Sequence, residues 1–276
     1  MPPASSLRNP STGPSLRCIA LIPARYASTR LPGKALADIA GRPMIAHVYA
    51  RAAASTLISD VIVATDDERI REAVERCGGT ARLTKATHRS GTDRLAELAS
   101  ALDCDVIVNV QGDEPLLDPR MIDDLIAPLA ANPDVPMSTL RRPITNAHDW
   151  TSPDVVKVVV DQHDFALYFS RSPIPFDARR PRSAGPVHDA AASPSMGHKH
   201  IGLYAYRREF LLTLAALPPT RLEQLESLEQ LRALEHGYRI QVPETAFDSV
   251  GVDTPADLER VRRLMAVAET SGHDER

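Results

Sequence analysis

With 276 residues, 43% of them hydrophobic and 25% charged, the chain can bury a full core, which excludes a wholly disordered protein. A net charge of −4 excludes the basic surface that nucleic-acid binding requires, so any affinity for phosphate has to be local. Cys18, Cys77 and Cys104 stand far apart with no CxxC pairing, and read as reduced thiols of a cytosolic protein instead of a disulfide frame or a zinc site.

Residues 1–16 are rich in Pro, Ser and Gly, contain no apolar h-region, and read as a disordered tail. No apolar stretch approaches the roughly 18 residues of a membrane span. Residues 17–23 (RCIALIP) read as a buried strand and 43–55 as a helix. A strand over 60–65, a helix over 67–77, a short strand over 80–84 and a helix over 91–102 follow. Residues 105–111 (DVIVNVQ) give the strongest strand signal. Strands that are Val/Ile-rich throughout, separated by helices, predict a mostly parallel α/β sheet covered on both faces. Ligands of such sheets sit at the carboxyl ends of the strands, which draws attention to the loops after Pro23, Thr65 and Gln111. Beyond Pro133 the pattern changes. Strands over 155–161, 165–171 and 199–207 predict a smaller mixed or antiparallel extension at about 150–207, interrupted by a long loop over 172–197. A strongly amphipathic helix is expected over 221–236, and a last helix over 255–268 with Thr254 as its N-cap. Residues 17–270 therefore read as one domain with an insertion.

The loop LIPARYASTRLPGK, residues 21–34, places Arg25, Arg30 and Lys34 directly after the first strand. Three cations in one short loop repel one another unless an anion lies between them; a triphosphate suits that space, and a solvated basic loop is the alternative. The loop is not a Walker loop, because Ala35 follows Gly33–Lys34 and Ser28 occupies the first glycine's position; no G-x-G-x-x-G follows the strand either. Asp113, in QGDEP, is either a turn residue after the strand or a metal ligand. Asp253, in GVDTP, is either a helix-start residue or its partner. His200 suits a core histidine as well as a ligand, while Glu226, Glu229 and Gln230 suit a solvated helix face as well as a binding one.

Residues 21–34 resemble the signature loop of the 3-deoxy-manno-octulosonate (Kdo) cytidylyltransferases. The similarity continues through IVATDD, HRSGTDRLAE, VNVQGDEP, VKVVVD, ALYFSR, HIGLYAYR, LEQLESLEQLR and GVDTPADLERV, and covers nearly everything from Cys18 to about Met265. The resemblance implies a Rossmann-like nucleotidyltransferase sandwich of three layers. It implies transfer of CMP from CTP to the anomeric hydroxyl of Kdo, with release of pyrophosphate for lipopolysaccharide synthesis, by direct displacement in a cytoplasmic homodimer formed through the extension. Asp113 and Asp253 become the ligands of Mg²⁺, and with Arg25 and Lys34 form the catalytic set. Pro23, Ala24, Arg25, Ser28, Arg30, Lys34, Ser90 and Gly91 become the nucleotide site. Arg30, Arg94, Gln111, His200, Tyr204, Glu226 and Gln230 become the sugar site, with Arg94 facing the sugar carboxylate. Arg89 and Asp93 replace the Gln and Glu more usual in the HRSGTDR block. A cytidylyltransferase for another acidic sugar, such as a sialic acid, and a CTP-binding protein without turnover are the rival readings.

Overall fold

A computed structural model describes residues 16–27, 30–88, 90–178 and 197–271. The chain opens on β1 (Cys18–Ala24), whose residues are nearly all buried. A short hairpin of β2 (Asp38–Ile39) and β3 (Arg42–Pro43) leads into α1 (Met44–Ala53). There follow β4 (Ile58–Thr65), α2 (Glu68–Arg76), β5 (Ala81–Leu83), α3 (Gly91–Ala99) and β6 (Val106–Asn109). β1 lies between β4 and β6 and is parallel to both. Its side chains alternate between two cores, as a strand covered on both faces requires. Cys18, Ala20, Ile22 and Ala24 pack with Ile45 and Val48 of α1. Ile19 and Leu21 pack on the other face with Leu95 and Leu98 of α3. This is the expected α/β sandwich.

After β6 come α4 (Pro119–Ala131), β7 (Met137–Pro143), α5 (Ala147–Thr151), β8 (Lys157–Val160), β9 (Ala166–Ser170) and β10 (His198–Arg207). Among the described residues the main sheet has nine strands, ordered β11-β7-β10-β6-β1-β4-β5, where β11 is Ile240–Gln241, with β8 joining β10 to β9. The three strands expected in the second half are present, but β10 does more than extend the sheet. Its last residues run antiparallel between β6 and β7, setting Tyr204 opposite Asn109 and Tyr206 opposite Ile107. Only its first residues pair with β8. α4, β7 and α6 (Arg208–Ala216) have no counterpart in the sequence reading. Most of the loop expected over 172–197, and the tail over 1–15, lie outside the described residues.

The helix expected over 221–236 is two helices. α7 (Arg221–Glu226) ends where Ser227 adopts the left-handed conformation, at φ 52°, and α8 (Gln230–Glu235) starts in a new direction. The break is held from both sides. Glu226 accepts bonds from Ser170 Oγ at 2.7 Å and from the Arg171 N–H at 2.9 Å, pulling the end of α7 onto β9. Arg232 of α8 reaches back to Glu223 of α7, its Nε donating at 2.9 Å. Amphipathic periodicity runs through the break because Leu222 of α7 and Leu231 and Leu234 of α8 pack on the same core. β11 (Ile240–Gln241) and α9 (Pro255–Ser271) complete the chain. Thr254 caps α9 as expected, its Oγ accepting from the Asp257 N–H while the Asp257 carboxylate accepts from the Thr254 N–H.

Gly112, between β6 and Asp113, lies where a β-carbon would come within 2.8 Å of the Pro23 carbonyl. Gly112→Ala is therefore expected to force the ends of β1 and β6 apart and lower stability by about 1–3 kcal/mol. Thermal melting of the purified variant checks this; an unchanged midpoint would show that the two loops are not locked together there.

Candidate active site

The loops that leave β1 and β6 at their carboxyl ends emerge side by side, because the strands are parallel neighbours. In the first of them Gly33 takes φ 69° and donates its N–H to the Tyr26 carbonyl at 3.1 Å, turning the chain inward so that Lys34 points at the second. The Lys34 ammonium lies 2.6 Å from Asp113 Oδ2 and 3.1 Å from Asp253 Oδ1. Arg30 approaches Asp253 from outside, at 3.1 Å. The Val252 N–H donates to the Asp113 carbonyl at 2.9 Å, which ties the loop before α9 to the loop after β6. Burial lowers the Lys34 pKa, but the two carboxylates outweigh it and raise the value above the ordinary one. Glu114, beside Asp113, is pushed up to about 7 by burial and then by the Asp113 charge.

Two carboxylates sharing one ammonium have converged closely enough to share a different cation. Their donors are all oxygen, which suits Mg²⁺. Among the described residues there is no cluster of three or more His, Cys, Asp or Glu side chains that could hold a metal alone. A divalent ion on Asp113 and Asp253 would complete its shell with water and phosphate oxygens, the usual arrangement for Mg²⁺ at a nucleotide. The residues present fit that ion.

Arg25 ties this loop to the start of α3, donating from Nη2 to the carbonyls of His88 at 2.9 Å and Ser90 at 3.2 Å. Ser90 caps α3, its Oγ accepting from the Asp93 N–H at 3.1 Å. Gly91 rests on the Pro23 ring, and Ala24 is buried at the end of β1. Pro23, Ala24, Arg25, Ser90 and Gly91 are thus assembled together, with Arg30 and Lys34 on the same loop; Ser28 lies outside the described residues.

Arg94 departs from expectation. It is fully buried, bonded through Nη2 to Asp66 at 2.7 Å and through Nη1 to Thr84. With Asp66 on Nη2 and Thr84 on Nη1, only the Nε of Arg94 lacks a partner, and Arg94 braces α3 and is absent from the cavity lining.

That cavity, of about 160 Å³, is lined by Gly91, Thr92, Asn109, Gln111, Tyr204, Tyr206, Leu214, Glu229 and Gln230. Gln111, Tyr204 and Gln230 were expected here; Thr92, Asn109, Tyr206 and Leu214 were not. The period of two along β6 held the signal for Asn109, since Asn109 and Gln111 share one face. His200 stands next to Tyr204 with ring centroids 5.5 Å apart, and meets the edge of Phe169 at 5.0 Å. The single Thr139 hydroxyl proton goes to a main-chain carbonyl, with Leu203 O at 2.7 Å, so His200 Nε2–H donates to Thr139 Oγ at 2.8 Å. Glu226 holds β9 and is absent from the cavity lining.

A sheet that opens a cationic loop and two converging aspartates beside a polar cavity is the arrangement of a nucleotidyltransferase. The comparisons specify which. A cytidylyltransferase family model matches residues 19–240. A 3-deoxy-manno-octulosonate cytidylyltransferase from Geobacter sulfurreducens is 58% identical over 242 residues, 88% of this chain and 96% of that protein. One from Solibacter usitatus is 51% identical, over 93% and 97% respectively. A solved structure of CMP:2-keto-3-deoxy-manno-octonic acid synthetase complexed with CTP is 46% identical, covers 91% of this chain and 99% of its own, and has a TM-score of 0.83. A 4-diphosphocytidyl-2C-methyl-D-erythritol synthase from Anaerococcus prevotii, at 12% identity and a TM-score of 0.58, shares the fold alone. The chain belongs to the cytidylyltransferase family, among its 3-deoxy-manno-octulosonate cytidylyltransferases.

Burial pushes the His200 imidazole down to about 3, so it is neutral at physiological pH. A folded-state value below the ordinary 6.5 contributes stability that is present above about pH 6.5 and lost as the pH falls toward 3. The melting temperature of the native chain is therefore expected to fall more steeply between pH 6.5 and pH 4 than that of His200→Gln. Parallel curves for the two proteins would contradict this account of the ring.

Proposed function

We infer that the chain transfers CMP from CTP to the anomeric hydroxyl of Kdo, yielding CMP-Kdo and pyrophosphate. The observation that carries the reading is the meeting of Lys34, Asp113 and Asp253 beside the polar cavity, in a chain 58% identical to a protein named for that activity. Arg25, Arg30 and Lys34 receive the triphosphate and balance the charge that accumulates on the departing pyrophosphate. Gln111, Tyr204 and Gln230 orient the sugar in the cavity with its anomeric hydroxyl toward the α-phosphorus, so the two reactants are held for an in-line displacement. Bound on Asp113 and Asp253, Mg²⁺ would polarise the α-phosphate and favour ionisation of the attacking hydroxyl. Among the described residues, nothing in the site resembles a Ser or Cys nucleophile with a partner base. His200 is no base either, since its Nε2–H is held by Thr139 and its basicity is low.

CMP-Kdo in this reading is the activated sugar for lipopolysaccharide assembly, which supports a reaction in the cytoplasm. A homodimer formed through β8 and β9 is supported by Leu167 and Phe176, exposed apolar side chains on and just beyond β9, and by exposed Leu225 on the neighbouring α7.

Pyrophosphate release is expected with CTP, Mg²⁺ and Kdo together, and not when sialic acid replaces Kdo or when ATP, GTP or UTP replaces CTP. Release with a different sugar acid would move the substrate, and no release under any combination would favour a CTP-binding protein. In the same assay Asp113→Asn should lose at least about 100-fold in turnover while remaining folded by circular dichroism. Near-native turnover would remove Asp113 from the mechanism.

A further inference from the structure

The cavity that takes the sugar in the reading above contains polar atoms with no partner inside the protein. Asn109 and Gln230 are each only 5% exposed, yet Asn109 Oδ1 and Gln230 Nε2 have no hydrogen bond, and neither does Glu229 Oε1, which has only a loose ion pair with Arg232 at 3.9 Å. All three residues line the same cavity. Native interiors rarely leave such atoms unpaired, because each costs about 1–3 kcal/mol when it loses water without gaining a partner. Three of them around one cavity mark a place where a ligand supplies what is missing.

Asn109, Thr92, Tyr206 and Glu229 lie together on the floor of the cavity. Tyr204, directly opposite Asn109 across the β6–β10 ladder, closes the side. The unmet demand is therefore two acceptors, Asn109 Oδ1 and Glu229 Oε1, and one donor, Gln230 Nε2. A hydroxyl group answers both kinds, donating to one and accepting from the other. An N-acetyl methyl or a deoxy carbon would leave these atoms unpaired.

We propose that Asn109 is a specificity-determining residue for the acceptor sugar, its Oδ1 accepting a hydrogen bond from one hydroxyl of the sugar's polyhydroxylated chain. It works with Gln230 and Glu229 on the same fragment, and it stands on β6 two residues before Gln111, so strand geometry and not a mobile loop sets its position. Discrimination arises in the usual way for a polar pocket, because an analogue lacking the hydroxyl strands a buried acceptor.

The test uses Asn109→Leu, which keeps the size and removes the amide, and Asn109→Ser as a smaller variant should Leu disturb the floor. Each is assayed for KM and kcat with Kdo, with a set of Kdo analogues lacking one hydroxyl apiece, and with CTP varied separately. The KM for Kdo is expected to rise about tenfold while the KM for CTP stays within about twofold. For one analogue in the set, variant and native enzyme should have the same KM, because the hydroxyl that Asn109 reads is already missing. An unchanged KM for Kdo in both variants, or a loss equal across every analogue, would overturn the proposal. Native turnover of CTP with Kdo in the same assay separates the two questions: without it the function itself fails, and with it only the role of Asn109 is at stake.

Discussion

The architecture turns on one ammonium group held between two carboxylates. Lys34 comes from the loop after the first strand, Asp113 from a loop 79 residues later, and Asp253 from one 219 residues away. Asp113 and Asp253, brought to one ammonium, would repel each other without it, so the cation between them is part of what lets the two loops meet. The site is built around positive charge, whether that charge is the lysine's own or a metal ion's. By contrast, the Arg30–Asp253 contact has both side chains about half exposed or more, and adds little to stability.

Everything needed to bring those groups together is supplied by strand order. β1 and β6 are parallel neighbours, so their exits converge, and Gly112 allows the second loop to touch the first. The Asp253 loop is held from behind by a small core of Ile39, Met44, Val252, Leu258 and Val261, in which α9 packs on the hairpin and α1. On the other flank β10 runs antiparallel beside β6 and turns two tyrosines toward the same cavity. The cationic loop and the polar cavity thus share β6 as a common wall, which is the geometry that a transfer between two bound reactants requires.

The parts legible in the sequence were those in which a single physical rule acts alone. β1, β6 and residues 61–65 of β4 declared themselves because both faces are buried and the run is almost wholly apolar. The Arg25–Lys34 loop declared itself by charge density at a strand exit, whereas the turn motifs of Asp113 and Asp253 left a turn or helix-start role open and only the family resemblance pointed to a metal. What stayed hidden depended on partners remote in sequence. Ser227 breaks a helix whose apolar periodicity continues, and the cause lies in Ser170 and Arg171 on another element. α4 was obscured by a proline at each end of an otherwise amphipathic run, although Asp118 and Pro119 form a regular start and Pro128 is accommodated near the C-terminal end. Asn109 was submerged in a strand read only for its apolar residues.

Arg94 shows what a family resemblance leaves open about a charge. The resemblance turned Arg94 toward the sugar carboxylate, and the fold sets Asp66 opposite it. Buried ion pairs contribute little net stability compared with an apolar pair of the same shape, but removing one partner is severely destabilising. Such a pair is better at fixing a position than at strengthening a fold. Here it fixes α3 against the ends of β4 and β5, through Asp66 and Thr84. The first turn of α3 carries Ser90, Gly91 and Thr92, and Arg25 is bonded to the carbonyls just before it. Holding α3 in one place therefore holds the edge of the nucleotide loop and the floor of the cavity together. Arg94 acts on the site from beneath, by deciding where the residues that touch ligands stand.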